Sequence, residues 1–204
     1  MNRKLLKEVL LPLRIEGVLR RLGYGTYRPA PPEIKNRVRG AITEARGYLE
    51  PAVVYADAAV LDGPKPVLIE GGLELPGEDI AKRLSGATRV TVFAGTVGRE
   101  IEAESSRRSG EGRPDEALYL DAAGSEAAEE LARTSQRWAH HRAAREGMRT
   151  AGRFSPGYGD LPLSIQRELL DYLGAAEIGM AAGENFMLRP EKSVTGIIGW
   201  ISKR

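Results

Sequence analysis

The segment that most limits the possible fold is 89–94 (RVTVFA), a β-branched run that predicts a strand. Upstream of it, apolar residues recur at helical spacing from Ile34 to Leu49, and short strand-like runs follow at 52–55 and 67–69. Helical and strand-like segments therefore interleave without a strict alternation. This order favours an α+β fold, a single domain with an antiparallel sheet and flanking helices, over a doubly wound parallel sheet.

Turn residues and helix breakers place the first elements. Residues 3–22 are predicted to form a helix that ends at Gly23. We therefore expect an N-terminal helical arm over 1–30, followed by one domain over 31–204. Within that domain, 62–64 (DGP) is expected to join the two strand-like runs.

The second half of the chain is predicted to contain further helices and a closing pair of strands. In chain order we expect a short helix after 76–79 (PGED), a polar helix over 98–108, a loop over 109–115, a long helix over 116–147, a helix over 162–173, and a hairpin of strands 184–189 and 193–202.

The composition excludes several kinds of chemistry. The 204 residues include no cysteine, which excludes disulfides, thiolate metal sites, iron–sulfur clusters and cysteine nucleophiles. The only histidines are His140 and His141, so a multi-histidine zinc centre is excluded too. Neighbouring helical residues point about 100° apart, so this pair cannot chelate one ion. We expect no metal site.

The charge balance and the start of the chain indicate a cytoplasmic protein. Thirty basic residues face 28 acidic ones, a formal charge of +2, which gives no general footprint for nucleic acid or an anionic membrane. The longest apolar run near the start, 9–13, is too short for a signal-peptide core or a membrane span. We therefore expect neither nucleic acid nor membrane among the partners.

Two features have both a functional and a plain interpretation. The turn 95–98 (GTVG) could present amides to a phosphate, but it lacks the three spaced glycines of a dinucleotide motif, so a plain strand-to-helix turn is favoured. A row of basic residues recurs every four positions on the long helix: Arg133, Arg137, His141, Arg145 and Arg149. This row is either a docking face for phosphates or an acidic protein, or a solvated face balanced by acidic neighbours.

The segment 150–162 (TAGRFSPGYGDLP) is the most distinctive in the chain. Pro156 fixes its own φ and restricts the residue before it, while Gly157 and Gly159 allow backbone angles that other residues avoid. The result is expected to be a stiff loop with exposed amides. It suits a ligand that offers a carboxylate to Arg153 and an aromatic base to Tyr158, although a purely structural turn remains an alternative.

This segment resembles the activation domain of vitamin B12-dependent methionine synthase. That family carries Arg-x-x-x-Gly-Tyr before a helix, and later Pro-x-x-Ser-Val-Ser-Gly; this chain has RFSPGY at 153–158 and PEKSVTG at 190–196. Upstream, 121–129 (DAAGSEAAE) is similar to the family's Asp-x-x-x-Ser-x-x-x-Glu segment. The resemblance is specific over about 118–201, and the size and start match the free-standing short form.

The resemblance implies an accessory role rather than independent turnover. The family binds S-adenosylmethionine and offers it as the methyl donor when cobalamin has been oxidised to the cob(II) state. Reductive methylation then restores methylcobalamin, with an electron from a flavodoxin- or ferredoxin-type donor. Cobalamin would be carried by the partner, a cobalamin-dependent methionine synthase core or a related corrinoid protein. This chain would be an accessory component of that methyltransferase, with no catalytic residue of its own.

The resemblance also implies a set of cofactor-binding residues on two segments: Arg153, Ser155, Pro156, Gly157, Tyr158, Ser193 and Gly196. Arg153 would bind the methionyl carboxylate, the backbone of 155–157 would hold the adenosine, and Tyr158 would line the pocket. Family members add carboxylates near the amino end of the ligand, but the expected place on the long helix falls near Gln136 and Arg137, which are not acidic. The alternative is a scaffold that docks a corrinoid protein without binding S-adenosylmethionine.

Overall fold

The computed structural model describes residues 2–61 and 66–202. In this part of the chain the elements follow one another as β1 (Asn2–Leu6), α1 (Ile15–Arg21), α2 (Pro32–Ala45), β2 (Ala52–Leu61), β3 (Val67–Ile69), β4 (Leu73–Leu75), α3 (Glu78–Arg83), β5 (Ala87–Thr96), α4 (Glu100–Gly110), α5 (Pro114–Arg145), β6 (Met148–Thr150), α6 (Ile165–Leu173), a 3-10 turn (Ala175–Ile178), β7 (Ala181–Ala182), β8 (Leu188–Arg189) and β9 (Ser193–Ser202).

An antiparallel sheet forms the centre of this arrangement, in the strand order β4-β3-β2-β5-β9-β6, with β1 paired to β2. Strands β2, β5 and β9 are buried along most of their length because both faces of the sheet are covered. Alternate residues of β2 show this, since Val54 belongs to the core under α6 and Val53 to the core under α5. The predicted α+β class with an antiparallel sheet is confirmed.

The start of the chain differs from the expected helix over 3–22. Residues Asn2–Leu6 form an edge strand that pairs with β2, and only Ile15–Arg21 is helical. The edge of β2 offers unpaired backbone groups, and Leu5 packs on the core while Arg3 Nε donates to Leu173 O at 2.5 Å. These tertiary contacts outweigh the local helical pattern. The domain boundary at residue 30 stays a prediction.

The predicted hairpin of 184–189 and 193–202 is wrong. Leu188–Arg189 pairs with Ala181–Ala182 in a separate two-stranded sheet, whereas β9 pairs with β5 on one side and β6 on the other. The ten-residue β9 is apolar and buried for most of its length, so it takes a central position in the large sheet, which the short segment before it cannot share.

The other predicted helices are present with shifted ends. The loop expected over 109–115 is shorter, because α4 continues to Gly110 and α5 already begins at Pro114. The long helix ends at Arg145, so Arg149 lies in β6 and is not part of the helical row. The predicted connection at 62–64 lies outside the described residues. In the two described stretches, no helix combines the length and the apolar character that crossing a membrane requires.

Candidate functional site

The segment that carries Arg153 is held against the central sheet. Phe154 and Ile197 exchange two backbone hydrogen bonds, N to O, of 2.9 and 2.8 Å, and Ser155 Oγ donates to Thr195 O at 2.8 Å. Residues 153–155 therefore run alongside β9. This pairing places the side chain of Arg153 at the level of Gly196 on the neighbouring strand.

The loop that follows is fixed at several points. Pro156 is buried, and Gly157, at a φ of +85°, donates its N–H to Leu161 O at 2.9 Å. Asp160 accepts from the backbone amides of Glu78 and Asp79 at the start of α3, at 2.5 and 3.1 Å. Hydrogen bonds from these amides lower the pKa of Asp160, and the bond from Glu78 has the largest effect. The expectation of a stiff loop agrees with these contacts, and Tyr158 on it is 65% exposed.

Arg153 carries the most informative electrostatic feature of the loop. Its Nη2 lies 3.5 Å from Glu129 Oε1, at the outer limit of a hydrogen bond. Its Nη1 is buried and has no hydrogen-bond partner among the described residues. A buried donor without a partner costs free energy, and a guanidinium nitrogen more than a neutral one, so this atom is suited to an oxygen of an incoming anion.

Glu129 is the carboxylate that the structure places beside Arg153, and the sequence analysis does not assign it there. It lies about two turns before Gln136 and Arg137, where the resemblance predicts a contact to the ligand. The available signal was the Asp-x-x-x-Ser-x-x-x-Glu segment, which ends at Glu129. The structure brings its carboxylate beside Arg153 because α5 packs on β9.

The two predicted residues of β9 have different surroundings. A Cβ on Gly196 would lie 2.5 Å from Phe93 Cε1 and 3.0 Å from Arg153 Cγ, so only glycine leaves room for the arginine stem. Ser193 instead donates through Oγ to Thr96 Oγ1 at 2.9 Å. Positions an odd number apart in a strand face opposite sides. The structure therefore brings Gly196, but not Ser193, to Arg153.

The turn 95–98 and the histidine pair, the other features considered as sites, have structural explanations. In the turn 95–98, Gly98 N donates to Thr96 Oγ1 at 3.2 Å and Val97 N to Lys192 O at 3.1 Å, so these amides are already used within the protein. His140 and His141 are exposed.

The basic row divides into paired and exposed members. Arg133 Nη1 binds Glu126 and Glu130 at 3.0 and 3.1 Å, and Arg137 Nη2 binds Glu130 at 2.8 Å. Arg145 and Arg149 are exposed. Arg133 and Arg137 are therefore paired with carboxylates of the protein, and the far end of the row is open for docking.

A cleft of about 1020 Å³ lies between the extended segment 7–13, the loop after α2, and residues 177–179. Its lining includes Thr96 and Gly98 but none of the seven predicted cofactor-binding residues. Its size alone does not indicate a ligand, because the cleft mixes apolar side chains with charges of both signs. The buried Nη1 of Arg153, which has no hydrogen-bond partner in the part of the chain that the structure describes, is the more specific observation.

Comparison with known proteins gives a clear result for the fold. No protein-family model matches the chain, and no curated protein does. Among solved structures, the chain is similar to the crystal structure of the MetH reactivation domain bound to AdoHcy, with a TM-score of 0.74 and 14% sequence identity. The similarity covers 98% of this chain and 78% of that one. This chain therefore has the fold of the MetH reactivation domain.

Proposed function

We propose that this chain binds S-adenosylmethionine by its amino-acid end at Arg153 and Glu129, and serves as the activation unit of a cobalamin-dependent methionine synthase. The observation that carries the proposal is the buried Nη1 of Arg153, which has no partner among the described residues. A ligand carboxylate at this atom would remove the cost of the unpaired donor.

The pair of side chains fits the zwitterionic end of an amino acid. A guanidinium and a carboxylate whose nearest atoms lie 3.5 Å apart offer one charge to the ligand carboxylate and the opposite charge to its ammonium. The adenosine would lie along the backbone of 155–157, with the exposed ring of Tyr158 available for stacking. The AdoHcy in the similar structure differs from S-adenosylmethionine by one methyl group, which supports this choice of ligand.

The chain's own residues would bind and orient rather than react. S-adenosylmethionine supplies, when bound, a sulfonium methyl group for the reduced cobalt of a partner's cobalamin. The acceptor is itself the nucleophile, so positioning is the main requirement and no general base is needed from this chain. The proposed role is thus support of reductive methylation on a methionine synthase core or a related corrinoid protein.

The proposed electron donor is an acidic carrier of flavodoxin or ferredoxin type. Arg133 and Arg137 are paired with buried glutamates. The proposed docking surface for this carrier therefore consists of the exposed Arg145 and Arg149. Exchanging both for glutamate is expected to weaken association with an acidic carrier, and more so at low ionic strength. Unchanged association would remove this surface from the proposal.

The test is calorimetric titration of S-adenosylmethionine into the purified protein, using the wild type, Arg153→Ala and Arg145→Ala. Arg145 is a matched control, since it is an exposed arginine at the end of α5, where α5 gives way to β6. Saturable binding that is lost in Arg153→Ala and kept in Arg145→Ala would support the proposal.

Two results would count against it. Full binding by Arg153→Ala would remove the arginine from the site. Absence of binding to the wild type, both alone and with a corrinoid partner present, would favour the scaffold alternative. Binding that requires the corrinoid partner would mean that the partner completes the site.

A further inference from the structure

Arg133 lies next to the proposed site and belongs to a network of charges on α5. Its Nη1 binds Glu126 at 3.0 Å and Glu130 at 3.1 Å, and both carboxylate side chains are only 3% exposed. Burial lowers the pKa of Arg133 while these carboxylates raise it, with a net increase that keeps the guanidinium charged. The head group of Arg133 is therefore anchored.

The same guanidinium reaches the carboxylate of the proposed site. Arg133 Nε lies 3.7 Å from Glu129 Oε1, the oxygen that also lies 3.5 Å from Arg153 Nη2. Glu129 and Arg133 are four residues apart on α5, so their side chains are neighbours on one face of the helix. Glu129 is thus shared between two arginines and makes no close pair with either of them.

The charges of the network explain why Arg153 stays open. Glu126 is also bound by Arg21 of α1 at 3.2 Å, and Glu130 by Arg137 at 2.8 Å. The carboxylates of Glu126, Glu129 and Glu130 therefore have cations nearby without Arg153. Arg153 is not needed to neutralise them, and its charge remains for a ligand.

We propose that Arg133 is a positioning residue, which shares the Glu129 carboxylate with Arg153, prevents it from closing onto Arg153 and so keeps the Arg153 guanidinium open to the ligand carboxylate. This inference rests on the proposed binding of S-adenosylmethionine at Arg153. Without the charge of Arg133, Glu129 would close onto Arg153 as a direct ion pair. The ligand carboxylate would then compete with a side chain of its own charge.

The first experiment measures the affinity for S-adenosylmethionine in a set of variants. Arg133→Gln is expected to weaken binding about tenfold or more, since the ligand must displace a charged hydrogen bond. Arg133→Lys, which keeps the charge, should stay within about threefold of the wild type. The matched control is Arg137→Gln, which removes the same charge one turn further along the helix, from an arginine that pairs with Glu130. It should also stay within about threefold.

A double-mutant cycle separates positioning from a general loss of structure. In a Glu129→Gln background, Arg133→Gln should lower the affinity for S-adenosylmethionine by less than about twofold, because the competing carboxylate is absent. An equal loss in both backgrounds would overturn the proposal, since Arg133 would then act through something other than Glu129. Arg137→Gln weakening binding as much as Arg133→Gln would overturn it as well.

The second experiment needs no ligand. A crystal structure of unliganded Arg133→Gln should show Glu129 in a close pair with Arg153, at an ordinary ion-pair distance of about 2.8 Å. If Glu129 keeps its present place, the positioning role is wrong. A wild-type protein that fails to bind S-adenosylmethionine counts against the proposed function, and this structure still tests the positioning. If Arg133→Gln does not fold, Arg133→Ala, measured in both the wild-type and the Glu129→Gln backgrounds, gives the same comparison of affinities.

Discussion

Arg108 and Arg153 are both largely buried arginines, and the difference between them separates a structural role from the proposed binding role. The side chain of Arg108 is 7% exposed, and all three of its nitrogens have partners. Nε donates to Glu104 at 2.7 Å, and both Nη atoms donate to Glu44. The side chain of Arg153 is 23% exposed. Its Nη2 lies 3.5 Å from Glu129 Oε1, and its buried Nη1 has no partner in the described chain.

The charge of a buried arginine is compensated differently at Arg108 and at Arg153. Arg108 joins α4 to α2, and its charge is balanced within the fold, so it contributes to stability. Arg153 is placed by the pairing of its loop with β9, and its charge is balanced only in part. Such incomplete pairing at a rigid position suits the proposed binding role of Arg153. Substitutions at the two sites should therefore affect different measurements.

The largest effect on stability is expected for Arg108→Ala. Removing this partner leaves Glu104 and Glu44 facing each other across the helices, and we expect a loss of about 2 kcal/mol in the free energy of unfolding. The figure is below that for a fully buried pair because Glu44 is 44% exposed and Glu104 keeps Arg107. Urea denaturation measures it. The affinity for S-adenosylmethionine should be unchanged, and a parallel loss of affinity would break the comparison.

A smaller loss of stability is expected for Gly196→Ala. Unlike the other substitutions, this one should lower both the stability and the affinity for S-adenosylmethionine. The added methyl group would meet the Phe93 ring at 2.5 Å and the stem of Arg153 at 3.0 Å, so one of them must move. We expect about 1–2 kcal/mol of destabilisation from this overpacking. Affinity should fall too, because Arg153 is displaced. Thermal unfolding and titration check the two effects, and an unchanged affinity would show that Gly196 serves packing alone.

Acid should affect the Arg108 region by way of Glu104. Hydrogen bonds from Arg107 and then Arg108 lower the pKa of Glu104 from 4.5 to about 2. A carboxyl group whose pKa is lowered by folding stabilises the fold above its unfolded pKa, and this contribution disappears as the pH falls from 4.5 towards 2. Urea unfolding at several pH values in this window should show a smaller decline for Glu104→Gln than for the wild type. Equal declines would contradict the assignment.

The smallest effect on stability is expected for Arg153→Ala. Among the described residues, its contact with a carboxylate, that of Glu129, is long, and its removal also eliminates a buried donor that has no partner there, so the free energy of unfolding should change by less than about 0.5 kcal/mol. The same variant should lose about 100-fold in affinity for S-adenosylmethionine, the value of one charged, paired contact. A loss of stability as large as that of Arg108→Ala would make Arg153 a structural residue.

Much of the sheet was predictable because its signals are local. The β-branched run at 89–94 and the runs at 52–55 and 67–69 all lie within strands of the structure. The loop at 153–159 is recognisable from its own residues, and Gly157 and Gly159 take the positive φ angles expected of them. These features depend on the conformational preferences of single residues and short segments.

The pairing of segments was less predictable. The first strand looked helical because its apolar residues suit either structure, and the edge of β2 decided between them. The local pattern predicts that the last segment folds back on its neighbour, yet β9 pairs with β5, about a hundred residues earlier in the chain. The pairing of strands depends on which partner buries more apolar surface, and the local sequence pattern does not contain this information.

The sequence by itself thus determined the α+β class, the strand and helix order in the middle of the chain, and the presence of a distinctive arginine-bearing loop. Only the tertiary structure decided the partners of each charge. Glu44 lies 64 positions from Arg108, and Glu129 lies 24 positions from Arg153. The same residue types therefore give a closed ion-pair cluster in one region and an open guanidinium in the other. The physical reason is that electrostatic balance depends on distances in space, which the packing of α5 against the sheet and α4 sets.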